Sequence, residues 1–154
     1  NITNNVDGWD KIDYVGPINE EAEVHLRTLL NVVGSKCIIN FQQVEFVNSC
    51  GVRAWVNFMR EFEKNREIIF EKCVPEIVIQ INMIPSFKST AKIKSVFGPY
   101  TCPSCGHKQL QLLEDGVDFN TEENSINLRE VKCEKCSTIS ELDELEDEFF
   151  GFLF

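Results

Sequence analysis

Two Cys-x-x-Cys pairs, Cys102-Pro103-Ser104-Cys105 and Cys133-Glu134-Lys135-Cys136, constrain this chain more than any other feature. At that spacing each pair forms a tight turn that converges both sulfurs on one point, and two such turns supply the four thiolates of a tetrahedral zinc site. Gly106 lets the backbone turn so that amides point at the sulfurs. Gln109 to Val131 is long enough for a short β-hairpin, so the expectation is a zinc ribbon over residues 99–139. In it, structural Zn2+ is held by Cys102, Cys105, Cys133 and Cys136. A segment of about 40 residues has too small a core to stand without such a clamp. Four cysteines leave no open position for catalysis at the metal. Substitution of one cysteine by His107, and a disulfide-exchanging use of the pairs, are the alternatives.

Seven cysteines, four of them paired this way, suit metal binding in a reducing compartment better than an odd-numbered disulfide framework, which predicts a cytoplasmic protein. The net charge of -10 repels phosphate backbones and anionic membranes, so neither nucleic acid nor a membrane is an expected partner. No run approaches the ~18 apolar residues of a membrane span. Asn1 in place of Met, with no charged start followed by an apolar stretch, predicts neither a signal peptide nor a natural start. The length of 154 residues fits a domain of about 100 residues plus a small module.

In the first of these, residues 1–98, strand and helix patterns alternate. Asn1 to Trp9 is polar and poorly patterned, while Ile12, Tyr14 and Ile18 around Val15-Gly16-Pro17 predict a strand at a sheet edge. Asn19 is an expected helix cap, and Ala22, Leu26, Leu29, Leu30 and Val33 form a helical stripe ended by Gly34. Cys37 to Phe41 and Glu67 to Glu71 read as strands covered on both faces. Val74, Ile77, Val78 and Ile81 make a short helix with Pro75 in its first turn and Ile84-Pro85 at its end. Lys94 to Phe97 is the last expected strand before a boundary at Gly98-Pro99. The fold class that follows is α/β, a mixed sheet with packed helices plus the small β ribbon.

Between the second and third strands lies Val44 to Met59, where a strand runs into a turn that opens directly into an amphipathic helix. Val52, Trp55, Val56, Met59 and Phe62 fall on one helical stripe, with Arg53, Asn57, Arg60 and Glu61 off it. The helix starts near Ser49. Asn48 or Ser49 caps the first-turn amides, and Gly51 carries no Cβ to block a group approaching them. A hydroxyl is thereby presented at the positive end of a helix.

The stretch Phe46-Val47-Asn48-Ser49-Cys50-Gly51-Val52-Arg53 resembles the phosphorylation-site turn of the STAS family, the sulfate-transporter and anti-sigma-factor-antagonist domain. The likeness extends from Asp13 to Gly98. The family pattern is a hydrophobic strand end, Asp-Ser-Ser/Thr-Gly, then a helix, and Ser49 occupies the phosphorylated position. Asn48 replaces the usual Asp, placing no like charge beside a phosphate, and Cys50 replaces Ser or Thr. The resemblance implies a STAS-like fold and a regulatory protein-interaction module that binds an anti-sigma factor or serine kinase-like partner through Asn48, Ser49, Cys50, Gly51 and Arg53. Phosphorylation of Ser49 would release that partner. The alternative is a constitutive assembly module in which Ser49 is only a helix cap, and a homo-oligomer is compatible with either.

An enzymatic reading rests on Cys50, whose thiol sits at a helix start. The chain has only two histidines, His107 belongs to the ribbon, and His25 reads as a packed or surface residue, so no base accompanies it and no enzyme is expected. Cys37 and Cys73 read as buried small hydrophobes. From residue 140 to 154 the chain is acidic with Leu142, Leu145, Phe149 and Phe152 or Leu153 near one helical face. That pattern predicts an amphipathic helix docked on the chain itself or a peptide that binds a partner.

Overall fold

The computed structural model describes residues 2–154, and side chains from Asp7 onward; Asn1 lies outside the described residues. The chain is mixed α/β. A five-stranded sheet is built from β1 (Ile2–Val6), β2 (Trp9–Ile18), β3 (Lys36–Val47), β4 (Glu67–Glu71) and β5 (Lys92–Ile93), in that spatial order. β2, β3, β4 and β5 run parallel, and β1 pairs antiparallel with β2. The expected edge strand is therefore an inner one. It is β1, read from sequence as unpatterned, that forms the edge, joined to β2 by the two-residue turn Asp7-Gly8, both at positive φ.

Register explains which face is buried. Ile12, Ile39, Phe70 and Ile93 align across the four parallel strands, and all are at most 2% exposed. One residue further on, Asp13, Asn40 and Glu71 align on the opposite face. Against the apolar face pack the helices that connect the parallel strands: α1 (Ala22–Val32), α2 (Ser49–Phe62), α3 (Pro75–Met83) and the one-turn α4 (Pro85–Lys88). α2 buries Gly51, Trp55, Phe58, Met59 and Phe62, so the stripe includes Phe58, while Val52 and Val56 lie at its half-buried margins. α1 ends before Gly34, whose φ is not positive; the Gly34 amide instead donates to Asp10 Oδ2 at 2.8 Å. Arg66 completes both helix ends. Its guanidinium donates to the carbonyls of Leu30 in the last turn of α1, of Val33 and Gly34 just after it, and of Phe62 in α2, at 2.9 to 3.2 Å, satisfying acceptors that helix termini leave open.

A second, antiparallel sheet contains β6 (Ser95–Thr101), β7 (Lys108–Glu114), β10 (Val131–Lys132) and β11 (Ile139–Leu142) in the order β10-β11-β6-β7. Between β7 and β10 lies a small hairpin of β8 (Phe119–Asn120) and β9 (Ser125–Ile126). The residues expected to close the first sheet, Lys94 to Phe97, mostly belong to this second one. Gly98-Pro99 lies inside β6, with Pro99 opposite Leu110. Gly98 is required there by packing: a Cβ would stand 2.8 Å from Leu113 Cδ1. One buried cluster runs from Ile12 through Val96 and Leu113 to Leu153, so the two sheets share a core.

The acidic terminus is not a long helix. Its first residues form β11, followed by one turn, α5 (Glu146–Phe149), and a 3-10 turn at Gly151–Leu153. Phe149, Phe150 and Leu153 are buried, and Asn82 Nδ2 on α3 donates to the carbonyls of Glu148 and Phe149. The segment is docked on its own chain through its phenylalanines, while Leu145 and Phe154 stay exposed.

Candidate metal centre and helix-start site

Each Cys-x-x-Cys pair forms the tip of a hairpin in the second sheet. In the tip between β6 and β7, the Cys102 amide donates to His107 O and the Gly106 amide to Cys102 O, both at 2.9 Å. In the tip between β10 and β11, the Cys133 amide donates to Thr138 O at 2.7 Å and the Ser137 amide to Cys133 O at 3.0 Å. The two tips share the same bonding pattern, with Gly106 and Ser137 at positive φ in equivalent places. The amides of Cys105 and Lys135 donate to the sulfurs of Cys102 and Cys133, each at 3.4 Å.

The four sulfurs lie within 4.8 Å of one another, with Cys102 to Cys136 at 3.4 Å and Cys105 to Cys133 at 3.6 Å. A tetrahedral ion with metal–sulfur bonds of ~2.3 Å requires sulfurs about 3.8 Å apart, so this set can hold a metal ion such as zinc with little movement. Cys102 and Cys133 are buried and Cys105 and Cys136 exposed. The Cys136 thiol is lowered to about 6, first by the Thr138 hydroxyl 3.4 Å away and then by the Thr138 amide and Cys102, which favours the thiolate a metal needs. His107 is not in the cluster; its Nε2 lies 3.3 Å from Glu134 Oε2 across the two tips.

Sequence reasoning missed the side chains that hold the tips together. Gln109 on β7 donates to Lys132 O at 3.2 Å and accepts from the Glu134 amide at 3.0 Å, tying one tip to the other. Behind them Asp118, its side chain fully buried, accepts from the Glu114 and Arg129 amides and from Nε and Nη2 of Arg129, at 2.9 to 3.2 Å. Burial alone would raise this carboxyl, but those bonds outweigh it and hold it below its ordinary value. A Gln on an edge strand and an Asp in a turn carry no motif; their partners, Lys132 and Glu134 for Gln109 and Arg129 for Asp118, lie 11 to 25 residues further along the chain and meet them only in the fold.

At the other candidate site, β3 ends at Val47 and α2 begins at Ser49, as the pattern predicted. Asn48 is the cap: its Oδ1 accepts from the Gly51 amide at 2.8 Å. Ser49, Cys50 and Arg53 are exposed and Asn48 is half-buried. Gly51 departs from expectation. It is buried, and a Cβ there would stand 1.8 Å from Ile18 O, so its place is filled by the end of β2 rather than kept open for an approaching group. The absence of charge beside Ser49 is also corrected, because Asn48 Nδ2 donates to Glu20 Oε2 at 3.0 Å and brings a carboxylate to the turn. That bond lowers the Glu20 carboxyl below its usual value. Cys50 and Arg53 border a groove of about 370 Å³ between α1 and α2, floored by Leu26 and Phe58, and no histidine lines it. His25 is exposed on α1 and faces a different cleft, between α1 and β2.

Gly51→Ala is expected to destabilise by about 3 kcal/mol, the upper part of the range for overpacking, since the clash is with backbone that cannot rotate away. Urea unfolding monitored by circular dichroism measures it. A change below about 0.5 kcal/mol, the size of an ordinary surface substitution, would mean that α2 and β2 do not meet this closely.

Among the described residues, no helix is long and apolar enough to cross a membrane. No family model and no curated protein matches the sequence.

Proposed function

We propose that the chain is a regulatory protein-interaction module of the STAS kind, switched by phosphorylation of Ser49 and steadied by a structural zinc on its four paired cysteines. The observation that carries this reading is Ser49 itself: an exposed hydroxyl at the first position of a 14-residue helix, directly after an inner strand, held by the Asn48 cap. A phosphate there adds about -1.5 to -2 charges at neutral pH. The helix amides favour an anion by roughly 0.3 to 1 kcal/mol, so the modified domain stays folded. The cost falls on a partner covering the helix start, which must desolvate the charge, and affinity drops by about a hundredfold or more. Neither proposed role requires catalysis, and the partner in this reading is an anti-sigma factor or a serine kinase-like protein in the cytoplasm.

The constitutive scaffold reading expects Ser49 to be only a helix cap; the cap is Asn48, which leaves Ser49 a surface residue in that reading. It draws on the Glu20 carboxylate, which a phosphate on Ser49 would have to tolerate nearby. Mass spectrometry of the protein from its native cells separates the two. A phosphate mapped to Ser49, with Ser49→Asp losing a partner that Ser49→Ala retains and both variants melting like wild type, is the expected result. Unmodified Ser49 and identical partners for all three forms would assign the chain to the scaffold class.

A further inference from the structure

Residues 77–113 carry four lysines, Lys88, Lys92, Lys94 and Lys108, and no acid, in a chain whose net charge is -10. Three of them meet at one cavity. It has a volume of about 450 Å³ and lies where the loop from α4 to β5 faces the Thr121 turn and the docked terminus, and neither Ser49 nor a cysteine lines it. Its floor is apolar: Ile93 and Leu153 are buried, and Ile69 and Phe152 are partly so.

The polar groups around this floor are unequal. Thr90 Oγ1 donates to Glu63, and Thr121 Oγ1 and amide both donate to Asp115, so these hydroxyls and the Asp115 carboxylate are already committed. Glu122 is the other acid at the rim, exposed to solvent. Lys92 is exposed, and the ammonium groups of Lys88 and Lys94 are less well matched. Lys94 Nζ approaches Glu71 only to 3.7 Å, and Glu71 is shared with Lys11 at 4.0 Å. Lys88 is half-buried, and its Nζ donates to Ser89 O at 3.3 Å, a neutral acceptor on the adjacent residue. Burial pushes the Lys88 ammonium below its usual value, the response of a cation short of an anion.

We infer that this cavity is a binding site for a small organic phosphate, whose anionic head is held by Lys88, Lys92 and Lys94 and whose compact apolar body lies on Ile69, Ile93 and Phe152. The volume falls within the ~300–1,000 Å³ typical of ligand pockets, and an apolar floor with a few convergent charges is their usual make-up. Lysines act as point charges without a fixed fork, so they suit a phosphoryl group approached from several sides. This site goes beyond the Ser49 reading and does not depend on it.

The test is a titration of the metal-loaded 154-residue chain, followed by amide chemical shifts, with three probes: phenyl phosphate, inorganic phosphate and benzyl alcohol. Phenyl phosphate is expected to saturate at submillimolar concentration, with shifts confined to residues 88–94, 121–122 and 152–153. Inorganic phosphate should bind about tenfold more weakly and benzyl alcohol not measurably. Lys88→Ala with Lys92→Ala should weaken phenyl phosphate at least tenfold. Because Lys88 is half-buried, Lys92→Glu, at the exposed position of β5, serves as a second variant and should weaken it as much with an unchanged spectrum elsewhere. Unsaturable shifts spread equally over Lys108, Lys132 and Lys135, or equal affinity in the Lys92→Glu variant, would overturn the inference.

Discussion

Stripping the metal from the purified, metal-loaded protein is expected to unfold the second sheet and lower the thermal midpoint by about 10 °C or more. The apparent free energy of a structural tetrathiolate zinc is ~10–16 kcal/mol at neutral pH, and in a small module that is folding free energy. β10 has two residues and β11 four, so the hairpin carrying Cys133 and Cys136 has little pairing of its own. Apart from the sulfurs, the two hairpins are linked by the short pairing of β11 with β6, by Gln109 and by the exposed contact of His107 with Glu134. The loss also propagates. Phe119 packs at a tilt against Phe150 with centroids 5.3 Å apart, and Phe150 is buried where the terminus meets α3. About one equivalent of metal in the wild type, a large loss in Cys133→Ser, and collapse of β7 to β11 amide signals on chelation are the expected readouts. A metal-free protein whose midpoint moves by less than about 2 °C, below 1 kcal/mol for a chain of this size, would show that the thiols are not a clamp.

The parts of this architecture that the sequence made legible are those where one local rule decides. Pro75 at the first position of α3, Asn48 before α2 and the apolar run of β4 each follow from a single propensity, and each element forms where expected. The paired cysteines converge because both tips obey the same turn geometry at separate places. The misses lie where two rules compete. Gly98-Pro99 is a turn signal locally, yet β6 continues through it because β7 pairs alongside its whole length and Leu113 needs the space beside Gly98. The terminus has helical spacing, but Ser140 is buried between exposed Ile139 and Glu141, and pairing with β6 holds that part as a strand. β1 is short and polar, and its one signal was Asp7-Gly8, the dipeptide that suits a two-residue hairpin. At the helix start the position of Ser49 was readable, whereas the roles of Gly51 and Glu20 were not, because both are fixed by residues some 30 positions away.

Truncating Trp55 should be the most damaging single change to the five-stranded half. The ring is fully buried and meets five others: Tyr14 at 6.2 Å, Phe41 at 5.4 Å, Phe58 at 5.3 Å, Phe70 at 6.1 Å and Phe87 at 5.4 Å between centroids. These come from β2, β3, β4, α4 and α2 itself, so one side chain joins the sheet to the helices. Its Nε1 also donates to Phe87 O at 2.9 Å, satisfying a carbonyl in the one-turn α4. Trp55→Ala removes this packing and leaves a cavity the rigid strands cannot close, for a cost of about 3–5 kcal/mol. Against a total stability of about 5–15 kcal/mol that is a large fraction. Trp55→Phe separates the two contributions, since it keeps an aromatic ring but orphans the Phe87 carbonyl, at about 1–3 kcal/mol. Urea unfolding of the three metal-loaded proteins, with equal slopes, measures both. If Trp55→Ala cost less than about 1 kcal/mol, α2 would not be anchored through this ring. Ser49, less than two turns earlier on the same helix, would then lack the rigid base that its proposed presentation to a partner requires.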